Sequence, residues 1–192
     1  EHSQTAIRYC EQTEFAAVAG LAWSLLGIGY YYQGETERAS KNCEKGIEIH
    51  RGSGLRAMLS LQYWLQSMAH LDAGDLKSAR SSVEESLRLA QENNEKQNEG
   101  MSMVLLGKIL AKSDPAQSLE SEENIIQGIK ILDELKLKPF LSIGYLYLGE
   151  FYTETGRNDK ALEALRKAEA EFTEMGMDYW LRRTQEVLAR MT

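Results

Sequence analysis

Catalysis or metal binding by this chain would have to draw on three histidines, two cysteines and several adjacent carboxylates. His2, His50 and His70 lie far apart, and none has a cysteine or carboxylate at ligand spacing, so the pattern points to no metal. Cys10 and Cys43 show neither metal-ligand spacing nor a disulfide framework, which suits a reduced, cytoplasmic setting. Glu84-Glu85 and Glu122-Glu123 read as solvated helix faces rather than acid-base pairs. There is no phosphate loop, dinucleotide glycine fingerprint or nucleophile elbow. Gly52-Ser53-Gly54 reads as a turn between helices with Ser53 as N-cap. The expectation is a chain without catalysis, cofactor or metal.

The elements that would hold any binding residues are helices. Only Pro115 and Pro139 interrupt a sequence dominated by Ala, Leu, Glu, Lys, Arg and Gln. The balance of 22 basic against 29 acidic residues gives a net charge of -7, which repels phosphate backbones and argues against a nucleic-acid partner. From Phe15 to Gly34 no residue carries a formal charge, a length close to a membrane span. The same stretch carries a repeat pattern that recurs in charge-rich segments, so a membrane helix is not the expected reading. The chain starts at Glu1 without a basic-then-apolar leader, and it reads as an excised fragment.

That repeat has a period of about 40 residues. Leu26-Gly27, Gln66-Ser67, Leu106-Gly107 and Leu148-Gly149 stand in one register. Trp23, Tyr63, Met103 and Tyr145 form an earlier column, and Tyr30, His70, Leu110 and Tyr152 a later one, which makes His70 a core histidine. A turn glycine follows at Gly34, Gly74 and Gly156, and then an alanine at Ala39, Ala79 and Ala161; the third copy has Ser113-Asp114-Pro115 and Ser121 instead. A glycine inside a helix costs about 1 kcal/mol relative to alanine. Gly27, Gly107 and Gly149 are therefore expected where a second helix approaches closely through its own small residue. The turn glycines suit left-handed helix ends, and the third copy should have a longer connection.

These columns resemble the tetratricopeptide repeat, with four copies covering residues 14 to 176. The resemblance implies an all-α, right-handed superhelical stack of antiparallel hairpins. Residues 1-13 would be the second helix of a truncated repeat. Repeats would span 14-53, 54-95, 96-137 and 138-176, and residues 177-192 would form a capping helix opening at Asp178 as N-cap. Repeats longer than the common form are similar to those of bacterial signalling and regulatory proteins. The usual closing proline is absent from the first, second and fourth copies.

In such stacks the first helices line a concave surface that binds partners. At 100° per residue the face beside the packing columns carries Leu21, Ser24, Ile28 and Tyr31 in the first copy and Leu61, Trp64, Met68 and Leu71 in the second. It carries Met101, Val104, Lys108 and Ala111 in the third, and Ile143, Leu146, Glu150 and Thr153 in the fourth. The first two copies are apolar, with Trp64, Tyr31 and Met68 as anchors, and Lys108 and Glu150 add charge. The competing reading makes Leu21, Leu61 and Met101 core and pairs Lys108 with Glu150. The resemblance thus implies an interaction scaffold for a protein or peptide, helical or extended. Self-association and another domain of the parent chain are among the candidate partners. The alternative is a ligand- or peptide-sensing domain of a signalling regulator. Carboxylate-clamp members of the family carry lysine and asparagine on the first concave helix, where this chain has Ser24 and Ile28, so that mode is not expected.

Overall fold

The computed structural model describes residues 2–13, 15–56 and 58–191, with backbone alone at positions 11 and 115. Among these residues the chain forms ten α-helices and no β-strand. They are α1 (His2–Thr13), α2 (Ala16–Tyr32), α3 (Thr36–Gly52), α4 (Leu59–Asp72) and α5 (Leu76–Glu92), then α6 (Lys96–Ser113), α7 (Ser118–Glu134), α8 (Lys138–Glu154), α9 (Asn158–Met175) and α10 (Asp178–Ala189). The uncharged stretch from Phe15 becomes α2, and no described helix is long and apolar enough to cross a membrane. The chain divides into two compact units, Glu1–Asn94 with α1 to α5 and Glu95–Thr192 with α6 to α10. In the first, α2 pairs with α3 and α4 with α5, while α1 packs on α2 and α3 on α4. In the second, α6 pairs with α7 and α8 with α9, and α10 closes on α9 and α8.

Each hairpin is held by small residues at two levels. At the first, a Cβ added to Gly27 would lie 2.7 Å from Cys43 Sγ and 2.9 Å from the Ala39 carbonyl oxygen. One at Gly107 would lie 2.5 Å from the Ser121 oxygen, and one at Gly149 2.5 Å from Leu165 Cγ and 3.4 Å from the Ala161 oxygen. The expected glycine contacts are therefore present. In the second hairpin Ser67 replaces the contact with a hydrogen bond, its hydroxyl donating to the Ala79 oxygen at 2.8 Å.

The second level stands seven residues away on both helices, two turns along. Gly20, Ser60 and Gly100 on the first helices meet Gly46, Ser86 and Gly128 on the second, and Ser142 and Ala168 hold the same register positions in the fourth hairpin. A Cβ on Gly46 would come 2.5 Å from the Gly20 oxygen, and one on Gly128 2.6 Å from the Gly100 oxygen. Ser86 donates to the Ser60 oxygen at 2.6 Å. Two contacts two turns apart fix where the paired helices touch and the angle at which they cross. The long helices of the 40-residue period make room for both.

Gly34, Gly74 and Gly156 take the left-handed conformation, with φ of 79°, 80° and 72°. Each lets the next amide donate back five residues, as Glu35 does to the Tyr30 oxygen at 3.0 Å. In the third hairpin the link is one residue longer, and a 3-10 turn at Pro115–Gln117 follows an extended Asp114. Two expected N-caps are corrected. Ser53 closes α3, its hydroxyl donating to the Ile49 oxygen at 2.9 Å, because Gly54 turns left-handed immediately after it. Met177 occupies the N-cap of α10, because the Gly176 turn ends one residue before it and Asp178 is already helical.

Candidate functional site

The inner face expected in the first unit is largely closed. Tyr31, Trp64, Met68 and Leu71 are all buried. Ile28, Tyr31, Tyr32, Trp64, Leu65 and Met68 converge with Gly27 and Cys43 on a cavity of only about 20 Å³, little more than one water. The expectation that Trp64, Tyr31 and Met68 stand in solvent as anchors is thus corrected. These positions turn toward the neighbouring first helix and fill the α2–α4 contact. Leu21, Ile28 and Leu61 are half-buried.

Ser24, also expected on that face, is the centre of a buried polar network instead. Gln62 Nε2 donates to Ser24 Oγ at 2.8 Å and to the Gly20 oxygen at 3.1 Å. Gln62 Oε1 lies 3.0 Å from His50 Nδ1, and His50 Nε2 lies 3.0 Å from the Ala17 oxygen. Gly20 and Gly46 leave the space: a Cβ on the first would clash with the edge of the His50 ring, and one on the second with Ser24. His50 is therefore the core histidine. His70 is half-buried, with Nε2 3.3 Å from Ser40 Oγ. The signal for the network was the glutamine itself, since the other copies place Ala22, Ser102 and Gly144 in that column.

What α2 leaves in solvent is a different set. Val18, Leu25 and Tyr32 are 39%, 48% and 48% exposed and stand seven residues apart. Half-buried Leu21 and Ile28 fall between them, so the five form a 3-4-3-4 stripe along a helix with no charged residue. Length and repeat columns drew attention to this segment, whereas the heptad spacing within it was the signal for an open face.

In the second unit the expected residues Lys108 and Glu150 come together inside the protein. Lys108, 1% exposed, places Nζ 3.0 Å from Glu150 Oε2 and 3.2 Å from Glu154 Oε1. Arg183 reaches Glu150 Oε1 at 3.6 Å and lies 5.6 Å from the ring centres of Tyr147 and Trp180. Two cations and two carboxylates balance, which is what allows a lysine to sit so deep. The competing reading of a Lys108–Glu150 pair describes this geometry, and neither group is presented to solvent as a ligand contact.

Open hollows lie elsewhere among the described residues. One of about 680 Å³ in the first unit is lined by Arg51, Tyr63, Gln66, His70, Glu85 and Arg88 among others. One of about 400 Å³ in the second is lined by Tyr145, Leu148, Tyr152, Lys160, Glu163 and Lys167 with Ala164. Near the latter, Glu122 accepts from Arg157 Nη1 at 2.7 Å and Tyr152 Oη at 2.8 Å. Burial works against its charge, yet these two hydrogen bonds hold the carboxyl below its usual range. Burial and the same carboxylate push the Tyr152 phenol up to about 12. This is an ion pair reinforced by a phenol hydrogen bond. Among the described residues no three His, Cys, Asp or Glu side chains are grouped to hold a metal.

Comparison with known proteins agrees with this architecture. Residues 143–170 match the tetratricopeptide repeat model. No curated protein sequence matches the chain. Among solved structures it is similar to BtubC (BKLC) from P. vanneervenii, at 18% identity and a TM-score of 0.64, covering 84% of this chain and 66% of that one. It is similar also to aspartyl phosphate phosphatase F from Bacillus subtilis, at 17% identity and a TM-score of 0.67, covering 97% and 52%. A third likeness is to a signal transduction ATPase with numerous domains carrying a tetratricopeptide repeat sensor, from Pyrococcus horikoshii, at 19% identity and a TM-score of 0.62, covering 89% and 26%. The chain thus spans less than two thirds of each of these proteins. The fold is that of tetratricopeptide-like helical repeat proteins.

Proposed function

We propose that this chain is a non-catalytic protein-interaction module whose docking surface is the open face of α2. The observation that carries the reading is the stripe of Val18, Leu21, Leu25, Ile28 and Tyr32, exposed or half-exposed on a helix without a single charge. A contiguous apolar surface of this kind on a soluble fold marks an interaction site, and alternating spacings of three and four fit an apolar helix laid along it. The inner positions of α4, by contrast, are committed to packing, so the surface lies on one helix rather than along a groove shared by four copies. The likeness of the fold to interaction and regulatory proteins supports the same class of function without naming a partner.

A photo-crosslinking residue placed at position 25, in cells that make the protein, tests this reading. A covalent adduct with a protein is expected from position 25. None is expected from position 119, which is 79% exposed on the second unit. Equal yields at both positions, or none at either, would overturn it.

A further inference from the structure

The second unit holds a hollow whose lining departs from the repeat, and we infer that it binds a small carboxylate with an aromatic or branched aliphatic body. The site lies apart from the α2 surface and stands whether or not that surface docks a protein.

Comparison of the copies marks the place. Ser121, Ala39, Ala79 and Ala161 share one column, so Ile126 on α7 takes the position of Glu44 on α3, Glu84 on α5 and Arg166 on α9. Three copies thus put charge there, and the third puts an isoleucine that is 46% exposed. Ala164 on α9, buried, takes the position of Asn42, Ser82 and Asn124. The other copies close their hairpins with polar residues at both positions, so packing does not call for these two apolar side chains.

The two departures border the same hollow. On α7, Glu122 accepts from Tyr152 Oη at 2.8 Å, and a Cβ on Gly144 would lie 2.7 Å from Ile129 Cγ1. Ile126, one turn from each, therefore stands at the outer edge of the α7 side that faces α8. Leu148 lies midway between Gly144 and Tyr152, and it lines the hollow with Ala164, Tyr145 and Tyr152. Lys160 and Lys167 stand over the two rings, two turns or roughly 10 Å apart on α9. Lys167 Nζ is 3.9 Å from the Tyr145 ring centre and donates to its hydroxyl at 2.5 Å, and Lys160 Nζ is 5.4 Å from the Tyr152 ring centre. That hydrogen bond holds the Lys167 ammonium above its usual range. Neither lysine is in an ion pair with a described residue.

Size and charge define the ligand. The volume of about 400 Å³ is that of a small-molecule site, and Leu148 and Ala164 between two tyrosine rings accept a flat or branched apolar body. Lys160 and Lys167 against Glu163 leave the lining one positive charge, which suits a monoanion. The carboxylates nearby are committed elsewhere, Glu122 to Arg157, Asp133 to Lys136 and Glu171 to Ser142. An ammonium resting on a ring has already lost part of its water, so a carboxylate brought to it gains more than at a fully hydrated lysine.

The test is a titration of methyl-labelled protein, followed by NMR, with phenylpropionate, phenylpropionamide and phenylpropylamine, which share one body and differ in charge. Phenylpropionate is expected to shift the methyl signals of Ile126, Leu148 and Ala164 and to bind about tenfold more tightly than the amide, with the amine weaker still. The Leu119 methyls, beyond the Glu122–Arg157 pair on α7, are expected to stay in place. Ile126→Glu and Ala164→Asn install residues that other copies carry at the same columns, so circular dichroism is expected to be unchanged while binding of the acid weakens about tenfold. Lys160→Gln and Lys167→Gln, both at exposed positions, are expected to erase the preference for acid over amide. The inference is overturned if phenylpropionate leaves these three methyls unshifted up to its solubility limit, if its shifts fall only on Val18 and Leu25, or if the amine binds as well as the acid.

Discussion

Replacing Gly27 and Gly29 by alanine, one at a time, probes the packing of α2 with two changes that are chemically identical and two residues apart. Alanine is favoured over glycine in a helix interior by about 1 kcal/mol, because glycine loses more backbone freedom on folding. At Gly29 a new Cβ meets nothing within 4 Å, so that gain should appear in full. For a chain of this size about 1 kcal/mol corresponds to a rise of roughly 2–4 °C in Tm. At Gly27 the new Cβ falls 2.7 Å from Cys43 Sγ and 2.9 Å from the Ala39 carbonyl oxygen. The sulfur can rotate aside, but the oxygen belongs to the backbone of α3, so relief requires the two helices to part. Overpacking costs about 1–3 kcal/mol, and a clash with backbone belongs at the upper end. Set against the gain of about 1 kcal/mol, the net loss is about 2 kcal/mol, and the two variants should differ by about 3 kcal/mol. Urea denaturation followed by circular dichroism measures this from the midpoints at a shared slope. If Gly27→Ala proves as stable as Gly29→Ala, close approach at the first small-residue level is not what holds the hairpin together.

Two further expectations follow from buried groups. Lys108→Met leaves Glu150 inside the second unit with less countercharge and should cost roughly 3 kcal/mol, whereas Glu154→Gln, at a half-exposed carboxylate, should change stability by less than about 1 kcal/mol. Equal losses in urea titrations of the two would contradict the burial described for Lys108. Burial pushes the Cys43 thiol up to about 12, so the native chain should leave it unreacted with a thiol reagent at pH 8 and expose it in urea. The folded thiol holds its proton while the unfolded thiol ionises in the usual range. Its contribution is therefore intact below that range and is lost as pH rises toward 12, and Cys43→Ala should show a shallower alkaline fall in Tm than the wild type.

Pairing within each hairpin was legible because it depends on residues that have no other reason to be there. A glycine at position 27, 107 or 149 is costly in a helix unless something comes close, and the partner column of small residues stood at a fixed distance in the chain. The same logic applied to Gly20, Gly100, Gly46 and Gly128, but these columns are half serine or alanine. Ser60 and Ser86 look like ordinary helix residues until one is seen donating to the backbone of the other. The turns of the first, second and fourth hairpins were legible for a related reason, because a positive φ selects glycine.

Exposure on the inner face was not legible, because it depends on how hairpins pack against each other and not on how each one closes. A helical wheel places Trp64 and Met68 about 130° from the packing columns, yet whether that direction points to solvent or to α2 is set by the rotation between neighbouring first helices. In the first unit that rotation is fixed by Gln62, whose amide reaches Ser24 and the Gly20 carbonyl and spans the gap to His50. It draws the inner side of α4 against α2 and buries the expected anchors. On the far side of α2, among the described residues, Val18, Leu25 and Tyr32 are exposed although the sequence there is as apolar as the part that is buried. In the second unit an apolar contact is replaced by Lys108 and two glutamates, which the wheel alone assigns to solvent because it cannot supply the countercharges. The candidate surface is thus defined by the polar groups that close the neighbouring ones, and changing Gln62 to leucine should alter the burial of Trp64 before it alters that of Leu25.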